Sequence, residues 1–117
     1  MSVLDWFILC FLAAGVDPFI GEWHGESVCV AKNTACHDET VVYRITEAKP
    51  GYASVSADKV EDGKATNMGI LEFRSEADDL ICEYAQGVWR MKVEGGKIEG
   101  TLTRTDGTVF RRVKLHK

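Results

Sequence analysis

The chain has 117 residues, 45% of them hydrophobic and 27% charged, with two prolines and a formal charge of −4. That size suits one compact domain with a substantial core and is too short for two. Charges of both signs are scattered, and no basic block has the density that phosphate-backbone binding needs, so nucleic acid is not an expected partner.

In chain order, residues 1–16 stand apart. The run WFILCFLAAGV, Trp6 to Val16, carries no charge and closes on small residues, the form of a secretory hydrophobic region with its processing site. Asp5 and the lack of Lys or Arg before it depart from that form. The other reading is an apolar N-terminal helix, which would have to be buried on every side. A bilayer span takes roughly 20 apolar residues, so no stable transmembrane span is expected. A signal peptide would place the protein in the periplasm or outside the cell; without one it would be cytoplasmic.

Residues 17–117 form the single folded domain. Expected strands cover Ile20–Ala31, Glu39–Glu47, Tyr52–Val60, Thr66–Arg74, Asp79–Ala85, Val88–Glu94, Lys97–Arg104 and Thr108–His116. Turn formers separate them, among them Lys32-Asn33, Lys49-Pro50-Gly51, Asp62-Gly63, Gly95-Gly96 and Asp106-Gly107. Eight short strands with tight connections and no crossover helix predict an all-β, antiparallel up-and-down sheet, closed into a barrel that leaves no edge.

Side chains alternate across a strand, so parity assigns faces. Trp23, Ser27 and Cys29 oppose Glu22, His24 and Glu26; Val41, Tyr43 and Ile45 oppose Arg44; Phe73 opposes Glu72. Leu80, Cys82 and Tyr84 oppose Glu83, and Trp89, Met91 and Val93 oppose Arg90 and Lys92. On the last strand Arg111 shares the inward face of Val109, Val113 and Leu115. The remaining basic residues there, Arg112, Lys114, His116 and Lys117, read as a solvated strand end.

The Gly21-Glu22-Trp23 motif that opens the first strand resembles the Gly-x-Trp of lipocalin and calycin barrels. That resemblance spans about Ile20 to the C-terminus, as pattern more than identity, and classical lipocalins are longer. It implies that Arg111 packs across Trp23 at the closed end. The stretch W-x-G-x-S-x-C followed by C-H-D-E-x-V-V-Y is similar to small secreted bacterial proteins of unknown function. The lining expected for a ligand pocket is Trp23, Ser27, Tyr43, Phe73, Tyr84, Trp89, Met91 and Arg111. Apolar walls with few polar groups suit a small hydrophobic or amphipathic ligand, bound without catalysis or cofactor. The alternative is a protein-binding module, because the chain is similar in size and strand count to periplasmic protease-inhibitor barrels. Nothing in the sequence calls for more than a monomer. No nucleophile elbow, phosphate loop or His-Glu-x-x-His supports an enzyme.

Of the four cysteines, Cys29 and Cys36 straddle a turn centred on Lys32-Asn33 and are expected to form a disulfide. A zinc site of Cys29, Cys36 and His37 would lack a fourth ligand. Cys82 reads as a buried thiol. Placing Cys36 inside with Cys29 conflicts with Val41, Tyr43 and Ile45 inside, so a bulge or wider loop between Cys36 and Glu39 must shift the phase by one residue. His37, Asp38 and Glu39 then form a candidate rim.

Overall fold

The computed structural model describes residues 15–30 and 35–117. The hydrophobic N-terminal run up to residue 14, the Lys32-Asn33 turn and the end of the first expected strand at Ala31 lie outside the described residues. After one turn of 3-10 helix, Asp17–Phe19, come eight strands: β1 Gly21–Cys29, β2 Glu39–Lys49, β3 Tyr52–Glu61, β4 Lys64–Glu76, β5 Asp79–Tyr84, β6 Gly87–Glu94, β7 Lys97–Thr103 and β8 Val109–His116. Each pairs antiparallel with its neighbours, and β8 returns to β1, closing the barrel in chain order. Among the described residues no helix is long and apolar enough to cross a membrane.

Turn chemistry explains the connections. Asp62 and Gly63 (φ 52° and 75°) and Gly95 and Gly96 (56° and 77°) are left-handed pairs, the backbone a two-residue hairpin needs. The β4–β5 turn does the same without glycine, at Ala77 (φ 48°) and Asp78 (71°).

Parity holds around the barrel: Trp23, Val41, Ile45, Val55, Phe73, Leu80, Met91, Ile98, Val113 and Leu115 are buried in one cluster. Gly25 sits on this inner face, and a Cβ there would lie 1.9 Å from the Lys114 carbonyl oxygen. Its bare backbone is what lets β8 close against β1. Val16 and Phe19 join the cluster and cap one end of the barrel. The free thiol of Cys82 is buried, and that burial raises its pKa.

The outer face carries a polar chain across four strands. Arg44 meets Glu22 at 3.2 Å and donates to Asp58 at 2.7 Å, and Asn67 donates to the other Asp58 oxygen at 2.8 Å. The hydrogen bond from Arg44, and then that from Asn67, hold the Asp58 carboxyl below the usual carboxylate range. Its ionised form therefore stabilises the fold at pH values above the ordinary Asp value near 3.9, and that contribution is lost as pH falls through the lower, folded-state value. Asp58→Asn is expected to lower the thermal midpoint at pH 7 and to differ less from wild type below about pH 4. A gap between the two midpoints that stayed constant down to pH 2.5 would contradict this.

The barrel is closed least firmly between β4 and β5. There only Arg74↔Ile81, Ser75↔Leu80 and Glu76↔Asp79 pair, because β5 spans six residues against thirteen in β4. The β3–β4 hairpin projects past the end of β5, and a bulge at Met68, between the pairs Ala57↔Gly69 and Asp58↔Asn67, turns it.

Candidate functional site

Two ends of the barrel offer concave space. At the capped end a shallow depression of about 530 Å³ is bordered by Pro18, Trp23, Gly95, Gly96 and Lys117. Its border mixes the Gly95-Gly96 turn and the charged Asp78, Glu94 and Lys117 with Pro18, Trp23 and Val93, so it is not a ring-walled pocket. At the other end a cavity of about 380 Å³ enters the barrel itself. Although smaller, it has the walls of a binding site: five aromatic rings, Tyr43, Phe73, Tyr84, Trp89 and Phe110, with Val55, Leu71 and Leu102. Its volume lies near the low end of the ~300–1,000 Å³ usual for small-molecule pockets. Met68, Gly69 and Ile70 from β4 and Tyr84 and Gln86 beyond the short ladder line it, so it also approaches the β4–β5 seam.

Six of the eight expected lining residues meet here: Ser27, Tyr43, Phe73, Tyr84, Trp89 and Arg111. Two do not. Met91 is packed in the core beneath, against Gly100. Trp23 lies at the opposite, capped end, 1% exposed, donating its indole N–H to the Phe19 carbonyl at 2.8 Å.

That separation corrects the expected Arg111–Trp23 stack. In the β1–β8 ladder Cys29 pairs with Arg111 and His24 with His116, so the chain end rather than Arg111 runs beside Trp23. The cation over the indole is Lys117, its Nζ 5.0 Å from the ring centroid. Arg111 faces inward as parity requires, but at the cavity mouth.

There Arg111 is a clamp. Its Nη1 donates to Ser27 Oγ (2.8 Å) and the Ser27 carbonyl (3.2 Å), and its Nη2 to Cys36 Sγ (3.0 Å) and the His37 carbonyl (3.1 Å). Glu39 Oε1 lies 3.7 Å from Nη1. The Cys29–Cys36 disulfide is formed, with Cα atoms 6.1 Å apart, so these sulfurs are not metal ligands. It lies outside the ladder, which runs regularly from Gly21↔Ile45 to Ser27↔Glu39. Continued, that register would set Cys29 opposite His37; bonding to Cys36 marks the one-residue phase shift, taken up where residues 36–38 leave the strand.

The expected rim is only partly a rim. Glu39 lines the cavity. His37 is exposed and engages Arg111 through its carbonyl, while Asp38 Oδ1 accepts the Cys29 N–H at 2.8 Å. Among the described residues no three His, Cys, Asp or Glu side chains group to hold a metal ion. The Tyr43 hydroxyl is pushed up to about 12, chiefly by burial, with Arg111 opposing and Glu39 and Tyr84 adding to the rise. It is a protonated donor throughout the neutral range.

Sequence reasoning missed Phe110. Strict alternation sends it outward beside Arg111, but the β7–β8 register shifts between Leu102↔Arg111 and Thr103↔Val109, leaving Phe110 as the extra residue at the mouth.

Neither a protein-family model nor a curated protein sequence matches the chain. Its structure is similar to that of the siderocalin Ex-FABP, described as functioning through dual ligand specificities. The TM-score is 0.58, at 14% identity over 86% of this chain and 73% of that one. At that identity the likeness shows the fold, a lipocalin-like eight-stranded barrel.

Proposed function

We propose that this barrel binds a small hydrophobic or amphipathic molecule, without catalysis, in the cavity between Tyr43 and Trp89. The observation that carries the reading is the ring-walled interior of about 380 Å³, open at one end and holding few polar groups. The similarity to a siderocalin with ligand specificities supports it. The disulfide favours an oxidising compartment, in keeping with export.

The test is a thermal-shift and native mass-spectrometry screen against small apolar alcohols, ketones and terpenoids. A ligand present at a hundred times its Kd stabilises by about 2.7 kcal/mol, a shift of several degrees for a domain of this size. Leu71→Trp, which fills the cavity, is expected to abolish the shift while circular dichroism stays that of a β-barrel. A panel without a single hit, or undiminished binding by the filled variant, would sink the reading.

A further inference from the structure

Among the described residues lining the cavity, only Arg111 and Glu39 are charged. A guanidinium offers five N–H donors. The two terminal nitrogens of Arg111 carry four of them, and they make four hydrogen bonds to Ser27, Cys36 and His37. Glu39, 3.7 Å away, offsets the charge. An anion entering here would shed its hydration against Val55, Phe73 and Trp89, and Arg111, the one cation of the lining among the described residues, would offer it a single uncommitted N–H beside a carboxylate.

Uncharged acceptors face a different prospect. Tyr43, Tyr84 and Trp89 line the cavity, and their hydroxyls and indole N–H make no hydrogen bond to the described residues. No fully buried side-chain N or O among the described residues lacks a partner, so all three polar atoms are reached by solvent, on residues that line the cavity. Burial keeps Tyr43 a donor rather than a phenolate. A cation would find no carboxylate to itself, because Glu39, the one acid of the lining among the described residues, already faces Arg111.

Building on the ligand-binding reading above, we propose that the cavity selects an uncharged, ring-bearing molecule with a hydrogen-bond acceptor and excludes anions of the same shape, because Arg111 is already closed by Ser27, His37 and Glu39. The aromatic walls supply the affinity and the free hydroxyls orient the acceptor.

Three probes of one skeleton test this: 2-acetylnaphthalene, neutral with an acceptor; 2-ethylnaphthalene, neutral without one; and 2-naphthoate, the anion. Their Kd values would be measured by calorimetry at pH 7. The acetyl compound is expected to bind at least tenfold more tightly than naphthoate and several-fold more tightly than the ethyl compound. Glu39→Gln removes the offsetting charge and is expected to strengthen naphthoate binding several-fold relative to the acetyl compound. Naphthoate binding as tightly as the ketone would overturn the selectivity. A naphthoate affinity unmoved by Glu39→Gln would overturn its stated cause. If none of the three binds while the wider screen above gives a hit that Leu71→Trp abolishes, this inference falls and the ligand-binding reading stands; no hit in either sinks both.

Discussion

Trp23→Ala is expected to destabilise the protein by about 3–5 kcal/mol, the loss typical of truncating a large buried ring. Trp23 is 1% exposed and shares the cluster with Val16, Phe19, Ile45 and Leu115. Its indole N–H to the Phe19 carbonyl is what ties the segment before β1 across the barrel end. Trp23→Phe keeps most of the packing but strands that carbonyl, so about 1–2 kcal/mol should be lost. Lys117→Ala removes an exposed cation 5.0 Å from the ring and its exposed hydrogen bond to the Ile20 carbonyl at 3.1 Å, and should cost least. Urea midpoints at pH 7 give the order. If Trp23→Ala cost less than about 2 kcal/mol, the capped end would not depend on this residue in the way its burial indicates.

The barrel was legible because its wall has one wet face and one dry face. Period-two alternation in Val41, Tyr43 and Ile45, or in Trp89, Met91 and Val93, states the inner face outright, and glycine turns at Gly63 and Gly95-Gly96 count the strands. Height along the barrel axis was not legible. Parity says that Arg111 points in, but only the β1–β8 register says at which end. Lys117 lies six positions further on, about 20 Å along an extended chain, enough to move a cation from the mouth to the floor.

Six of the sixteen residues that line the cavity were expected from parity, and two of the others sit at backbone irregularities. Phe110 turns inward at the β7–β8 shift, and Met68 at the β3–β4 bulge. A bulge leaves no mark in the residue types around it when every neighbour tolerates either face. The slip at His37 and Asp38 could be read in advance because two demands collided there: a cysteine pair needing one phase and a Val-Tyr-Ile row needing the other.

Arg111→Met is expected to cost about 3 kcal/mol, the scale for removing one partner from a largely buried charged network. The methionine keeps the aliphatic stem but abandons Ser27 Oγ, the Ser27 and His37 carbonyls and Cys36 Sγ. It also leaves the Glu39 carboxylate facing an apolar cavity without its counter-charge. Glu39→Gln alone should be mild, yet in the Arg111→Met background it should restore about 1 kcal/mol by removing that stranded charge. Arg111→Lys should fall between, since one ammonium cannot reach both the Ser27 and His37 acceptors. The same variants decide where the arginine acts. Because Arg111 clamps the mouth and Trp23 plugs the far end, Arg111→Met and Trp23→Ala should add to within about 0.5 kcal/mol in the double variant. A larger coupling between them would mean that the guanidinium and the indole meet after all.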